Sequence, residues 1–216
     1  MRSWKVKLSL AAVLLPLLLL CGCDNEGVVL ENPLPFVIDD RVIGSWSLAG
    51  MNPPVQGISD DIGKLQWIIR RSDNELYEAQ SPEDIQKGQK PSFTFHLAKV
   101  GNVLLAEQPV DCNNYYFKST DTSTPPKGCW SIFRIVFTGN SMEFDMFDPN
   151  QLVLGGLTGT LKGMDMEFGG SATRLKTTDS ASTAVLLRGQ QDIVAPFLAT
   201  YASGAVYNLA MNFRRI

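Results

Sequence analysis

Residues 130–147 read WSIFRIVFTGNSMEFDMF, and this stretch decides the fold class. Trp130 to Phe137 is rich in aromatic and β-branched residues, which pack well on a pleated surface and lose side-chain freedom in a helix. Gly139-Asn140 marks a tight turn. Beyond it Met142, Phe144 and Met146 alternate with Glu143, Asp145 and Phe147, the period of two that a strand requires. Two such runs joined by a two-residue turn predict an antiparallel hairpin.

The same pattern extends towards the N-terminus. Val42, Gly44, Trp46 and Leu48 share one side of a strand, and Leu65 to Arg71 is rich in Trp and Ile. Asp73-Asn74 reads as a turn into Leu76-Tyr77. Phe93, Phe95 and Leu97 alternate with Thr94, His96 and Ala98, and Gly101-Asn102 turns the chain into Val103-Leu104-Leu105. Short strands separated by turn residues predict an antiparallel meander, which must close on itself or cover its edges. Between the last two of these stretches and Trp130, Cys112 to Cys129 encloses a polar insert with Asn113, Asn114, Pro125 and Pro126.

Past Phe147 the pattern changes. Asp148-Pro149 has the residues of a short helix start. Gly155 to Gly170 is glycine-rich and fits a further hairpin. Thr183 to Leu187 reads as a strand. Gln191 to Ala202 places Ile193, Val194, Phe197, Leu198 and Tyr201 at helical spacing, with Gly204 to close the helix. Pro196 is compatible with that helix only within its first turn. Leu209, Met211 and Phe213 make a final strand ending in Arg214-Arg215.

The first residues form an export signal. Arg2, Lys5 and Lys7 precede an apolar run from Leu8 to Leu20, broken by Ser9 and Pro16 and shorter than the roughly 20 residues a spanning helix needs. Leu20-Cys21-Gly22-Cys23 resembles the lipobox of bacterial lipoproteins: aliphatic at −3, small at −1, then the cysteine that receives the lipid. Cys21 fits less well, because Leu20 would then occupy −1. The alternative is plain secretion with incidental cysteines. Lipidation at Cys23 would anchor the chain, each buried methylene contributing about 0.8 kcal/mol. Asp24, directly after that cysteine, resembles the inner-membrane retention signal of enteric bacteria and favours the inner over the outer membrane. Residues 24–35 are polar and contain proline, the composition of a tether.

Cleavage before Cys23 leaves 194 residues, enough for one domain with a real core. It also removes three positive charges, moving the formal net charge from −3 to −6. An acidic chain without a basic cluster is a poor candidate for nucleic acid or for anionic lipid headgroups. Cys112 and Cys129 remain, and a pair in an oxidising compartment is most simply a disulfide, worth about 3 kcal/mol for a loop of this length in the chain-entropy model. A metal pair would lack further ligands nearby.

Gly44-Ser45-Trp46, on the first strand after the tether, matches the G-x-W of lipocalins and other calycins. The layout after it (a hairpin, then Phe93 to Leu105, then Trp130 to Phe147, then a helix near Phe197-Leu198) is similar to that of uncharacterised lipocalin-like bacterial lipoproteins over most of the mature chain. The insert 112–129 and the stretch 155–170 lie outside the likeness. The resemblance implies a barrel closed at one end by Trp46, with an arginine near the last strand stacked on it. Arg215 has the parity of the apolar side and is the expected partner, with Arg214 second; such stacking contributes roughly 0.5–2 kcal/mol. The family implies a fold and a location, not a defined activity.

No catalytic device is legible. The single histidine, His96, would have to serve any Ser-His-Asp or Cys-His arrangement. It lies mid-strand, opposite Phe95 and Leu97, where a structural or ligand-lining role is expected. The scattered carboxylates Asp60, Asp61, Asp145 and Asp148 lack the spacing of a calcium loop and read as solvated turn residues, and His and Cys are too few for zinc. Residues 155–163 are not a phosphate loop, since Leu161 precedes Lys162 and Gly163 follows it.

The expectation is therefore a mostly β protein: residues 1–22 a lipoprotein signal peptide, 23–38 a lipidated N-terminus and tether, and 39–216 an antiparallel lipocalin-like β-barrel with a C-terminal helix and short final strand. It predicts a non-enzymatic envelope lipoprotein, without cofactor or metal, facing the periplasm. Its barrel would bind a small hydrophobic ligand or lipid, with Trp67, Phe93, Phe95 and Phe133 as candidate lining, although core packing is the favoured role for these four. The alternative is an envelope assembly protein using the insert 112–129, with Tyr115, Tyr116 and Phe117, as contact surface.

Overall fold

A computed structural model describes residues 27–54, 63–73, 75–110, 115–117, 128–148, 164–171, 184–204 and 207–216. Eight strands close into an antiparallel barrel: β2 (Gly44–Asn52), β3 (Gln66–Arg71), β4 (Leu76–Gln80), β5 (Phe93–Val100), β6 (Val103–Val110), β8 (Cys129–Thr138), β9 (Ser141–Phe147) and β12 (Tyr207–Arg215). In this set each strand pairs with the next, β6 with β8 from Leu104↔Ile135 to Val110↔Cys129, and β12 closes on β2 with Arg215↔Trp46. Closure removes the open edges that a meander would otherwise expose.

The two ends of the barrel differ. At one end the strands meet in tight turns, around Ser72-Asp73, Gly101-Asn102 and Gly139-Asn140, with φ of +57° at Gly101 and +56° at Gly139. At the other end lie all the long connections: 53–65, 81–92, 111–128 and 148–206. The second of these holds a short helix, α1 (Pro82–Gln86), with Ser81 as N-cap accepting from the Asp84 N–H.

Alternation places one set of side chains inside. Trp46, Leu48, Trp67, Ile69, Tyr77, Phe95, Leu97, Met142, Phe144, Met211 and Phe213 form a single buried interior cluster. A second cluster lies on the outer wall, where Ala98, Val100, Leu105, Ile132 and Phe147 are covered by α2 (Gln191–Gly204) and the N-terminal segment. Val194, Leu198 and Ala202, four residues apart, form the buried stripe of α2. Pro196 falls beyond the first turn of this helix, contrary to the expectation, so the Asp192 carbonyl loses its usual helical partner.

The expected tether is the main correction. From Gly27 onwards the chain is part of the fold. Residues Gly27–Leu30 form β1, parallel to β11 (Ala184–Gly189) and antiparallel to the start of β8. Val28, Val29, Leu30 and Leu34 are all at least 98 % buried. The apolar triplet Val28-Val29-Leu30 inside a polar stretch is the physical reason: it can only be covered by joining a sheet. β1, β11, β10 (Met164–Ser171) and β7 (Tyr115–Phe117) extend from β8 as a second sheet outside the barrel. β10 realises part of the expected 155–170 hairpin. Pro149 and the rest of that stretch lie outside the described residues.

Candidate binding site

The short-turn end is sealed by side chains that the G-x-W position organises. Asp39 caps a 3₁₀ turn (Asp40–Val42), which brings the Val42 carbonyl to accept from the Trp46 indole N–H at 2.8 Å. The Arg215 guanidinium stands 4.7 Å from the centre of the Trp46 ring and donates to the Arg41 carbonyl at 2.7 Å. Arg41 in turn lies over Phe137 at 4.7 Å. Gly44 is glycine for a geometric reason: its φ of +146° is a backbone conformation that residues with a Cβ rarely adopt. Trp46 and Arg215, paired from the sequence, are thus in contact.

Inside, aromatic rings meet across the barrel. Trp67 stacks on Phe213 at 4.6 Å and meets Phe93 edge-on at 4.9 Å; Phe144 stands 6.3 Å from both Trp67 and Phe95. These separations are those of favourable aromatic pairs, which add roughly 0.5–1.5 kcal/mol each beyond burial. The four expected lining residues, Trp67, Phe93, Phe95 and Phe133, all belong to this interior. Partly buried apolar groups lie towards both ends: Phe93, Phe133, Leu65 and Met51 on the side of the long connections, where Met146 and Met211 each keep 8 % of their surface, and Val37, Ile43 and Phe137 on the side of the short turns, where Leu104 also keeps 8 %. Unbranched methionines adapt readily to an irregular apolar guest.

Two acids on the outer wall are buried: Glu107, which the sequence did not single out, and Asp145, expected as a solvated turn residue but placed within β9. Glu107 has no exposed surface, and both its carboxylate oxygens accept from the Leu34 N–H, at 3.1 and 3.2 Å. Burial pushes its pKa up to about 7. Asp145, 1 % exposed, is held by Arg134 at 2.6 and 2.7 Å through one oxygen, while Oδ1 has no hydrogen-bond partner among the described residues. Burial raises its pKa despite Arg134, and Glu143 adds to the rise. The Arg134 guanidinium also lies 4.0 Å over Tyr207. The available signal was that β6 is apolar on both faces: Leu104 and Ala106 point in, while Leu105 points to the outer cluster. A strand covered on both sides leaves its acid no route to water.

His96 faces outwards as expected. Its ring stacks on Phe36 at 4.2 Å, and Nδ1 lies 3.0 Å from the Glu75 carbonyl, to which it donates. With Asp73, Glu75 and Leu76 it borders an open recess of about 420 Å³. No three metal-ligating side chains converge among the described residues. Cys129 is buried at the start of β8, whereas Cys23 and Cys112 lie outside the described residues.

The chain matches no protein-family model, no curated protein and no solved structure. A closed barrel with an apolar interior, stoppered at one end by Trp46 and Arg215, is compatible with binding a small apolar molecule.

Proposed function

We propose that this chain is a lipoprotein of the bacterial envelope, anchored through Cys23, whose barrel binds a small hydrophobic molecule such as a fatty acid or lipid. The supporting observation is the closed barrel with its apolar interior. The short-turn end is stoppered by Trp46, Arg215 and the 3₁₀ turn, while Met51, Leu65, Phe93 and Phe133 at the other end are partly buried apolar groups around a mouth. The ring contacts around Trp67 fill the lower interior, so the guest sits above Trp67. The lipobox-like Leu20-Cys21-Gly22-Cys23 supports the anchor, and Asp24 the inner membrane. The Cys112–Cys129 disulfide is part of this reading: Val110 lies opposite Cys129, and Cys112 follows only two residues later.

The test is native mass spectrometry of the chain from Asp24, exported with a cleavable signal and purified without detergent. A defined extra mass that disappears on organic extraction identifies the cargo class. A bare polypeptide mass from every preparation, together with no retention of added palmitate, would rule the carrier role out. Incorporation of labelled palmitate, lost in Cys23→Ser, tests the anchor separately.

A second reading has an observation of its own. Tyr115–Phe117, expected as an aromatic contact loop, form β7, the last strand in the order of the outer sheet. A terminal strand can be extended by a strand of another envelope protein. Proline at residue 116 should abolish such a complex and leave ligand retention unchanged.

A further inference from the structure

Two large apolar side chains stand out as exposed among the described residues: Ile38 at 57 % and Ile216 at 63 %. Both belong to the short-turn end. Ile38 precedes the Asp39 cap of the 3₁₀ turn, and the Ile216 N–H donates to the Ser45 carbonyl, next to the Arg215–Arg41 contact. This end also differs in charge from the rest of an acidic chain. Arg41, Arg70, Arg71, Lys99, Arg214 and Arg215 are exposed there. Asp39 is taken up by Arg41 and Asp40 by Arg71, while Asp73, in the β3–β4 turn of this same end, accepts from the Glu75 and Leu76 N–H groups, with Glu75 beside it. Apolar tips inside a basic rim are the composition of a surface that meets lipid headgroups.

The direction of β1 leads to the same end. Val29 pairs with Ser131 and Leu30 with Trp130, so β1 runs against β8, with Gly27 on the Thr138 side of Leu30. Only Asp24, Asn25 and Glu26 separate Cys23 from Gly27. Four residue steps reach at most about 14 Å even when fully extended. A lipid on Cys23 therefore cannot leave the barrel hanging on a long tether.

We propose that the short-turn end rests on the bilayer, with Ile38 and Ile216 entering the headgroup region and Arg70, Lys99 and Arg214 facing lipid phosphates, so that the mouth of the barrel points away from the membrane. This rests on the reading of Cys23 as the lipidated residue. The partner is the anionic lipid surface itself.

The test uses the lipidated protein on vesicles of phosphatidylethanolamine and phosphatidylglycerol. Hydroxyl-radical oxidation is read by mass spectrometry and compared with the unlipidated chain in solution. Ile38 and Ile216 should lose oxidation severalfold on vesicles, while Met51 and Leu65 keep theirs. An Ile38→Asp, Ile216→Asp double variant, altered only at exposed positions, should stay vesicle-bound yet restore the oxidation of Arg214 and its neighbours. Loss of oxidation at Met51 and Leu65 instead would overturn the orientation, and protection at neither end would overturn the docking. The intact mass separates the two levels: lipid present without protection removes this inference alone, whereas a chain that never acquires lipid removes the anchor reading and this inference with it.

Discussion

The interior of the barrel and the seam on its outer wall are buried to the same degree but are built by different rules. The interior is made of rings and aliphatic chains, with Trp67 touching Phe93, Phe144 and Phe213 and no charged group in the cluster. The seam, where the N-terminal segment and α2 lie on β5, β6 and β8, contains an acid that serves a backbone group: Glu107 takes the Leu34 N–H. An irregular segment that crosses a wall brings unpaired N–H groups with it, and burying one unpartnered costs about 1–3 kcal/mol. The barrel interior has no such debt, because every strand there is paired with its neighbours. The comparison teaches that Glu107 is buried where non-strand backbone is laid over a sheet, whereas Asp145, the other buried acid, is held across two paired strands by Arg134.

The strongest way to break this comparison is to damage the apolar region. Trp67→Ala removes the ring that three other rings contact, and a large cavity in a ring-filled core should cost about 3–5 kcal/mol. Urea unfolding of the unlipidated chain measures it. A loss below about 1 kcal/mol would mean that the interior collapses around the gap or was never tightly packed, which would favour a roomy ligand cavity.

Next in size is Arg134→Met. It leaves Asp145 buried with no cation, and breaking a buried pair this way costs about 3 kcal/mol at neutral pH. The loss should shrink at pH 5, where the already raised pKa of Asp145 leaves the carboxyl protonated in both proteins. A second change, Asp145→Leu on top of Arg134→Met, should recover most of the stability if the cost is that of an orphaned charge rather than of lost packing over Tyr207.

Glu107→Gln sharpens the comparison at the seam itself. In the unfolded chain Glu107 titrates near 4.5, and in the fold at about 7. Between those values the folded protein keeps a proton that the unfolded chain has released, so raising the pH through this window removes stability. The contribution is full below about 4.5 and gone above about 7, and a shift of this size corresponds to about 3 kcal/mol at most. Gln keeps an acceptor for the Leu34 N–H without a charge. The variant should match the parent at pH 4 and exceed it by about 2 kcal/mol at pH 8. Equal pH profiles would mean that water reaches the carboxylate.

The barrel was legible in the sequence wherever one face is buried and the other is wet. Phe93, Phe95 and Leu97 against Thr94 and His96, or Met142, Phe144 and Met146 against Glu143, announce a strand and its orientation together. The helix was legible from Val194, Leu198 and their neighbours. Strand β1 was not, because four residues of a parallel pairing carry no alternation, and Val28-Val29-Leu30 was outweighed by the polar residues around it. Glu107 and Asp145 were not, because periodicity assigns a face and cannot say that a second layer covers it. Of the site, the sealed end was legible and the mouth was not: G-x-W and the parity of Arg215 are local signals, while Met51, Met146 and Met211 meet only through closure of β12 on β2 and β9.

The smallest expected effect concerns the sealed end. Arg215→Ala removes the guanidinium above Trp46 and its bond to the Arg41 carbonyl, and exposed stacking of this kind plus one hydrogen bond amounts to about 1–2 kcal/mol. Arg215→Lys separates the two contributions. An ammonium keeps the charge but loses the planar fork that covers the ring and reaches the carbonyl together, so it should recover less than half of the loss. The indole reports the contact directly. Trp46 fluorescence, isolated in a background where the other described tryptophans, Trp67 and Trp130, are Phe, should shift to longer wavelength in Arg215→Ala as water reaches the ring. If stability falls without that shift, the arginine acts through the Arg41 carbonyl and the 3₁₀ turn. The stopper would then be the turn, with the ring merely packed beneath it.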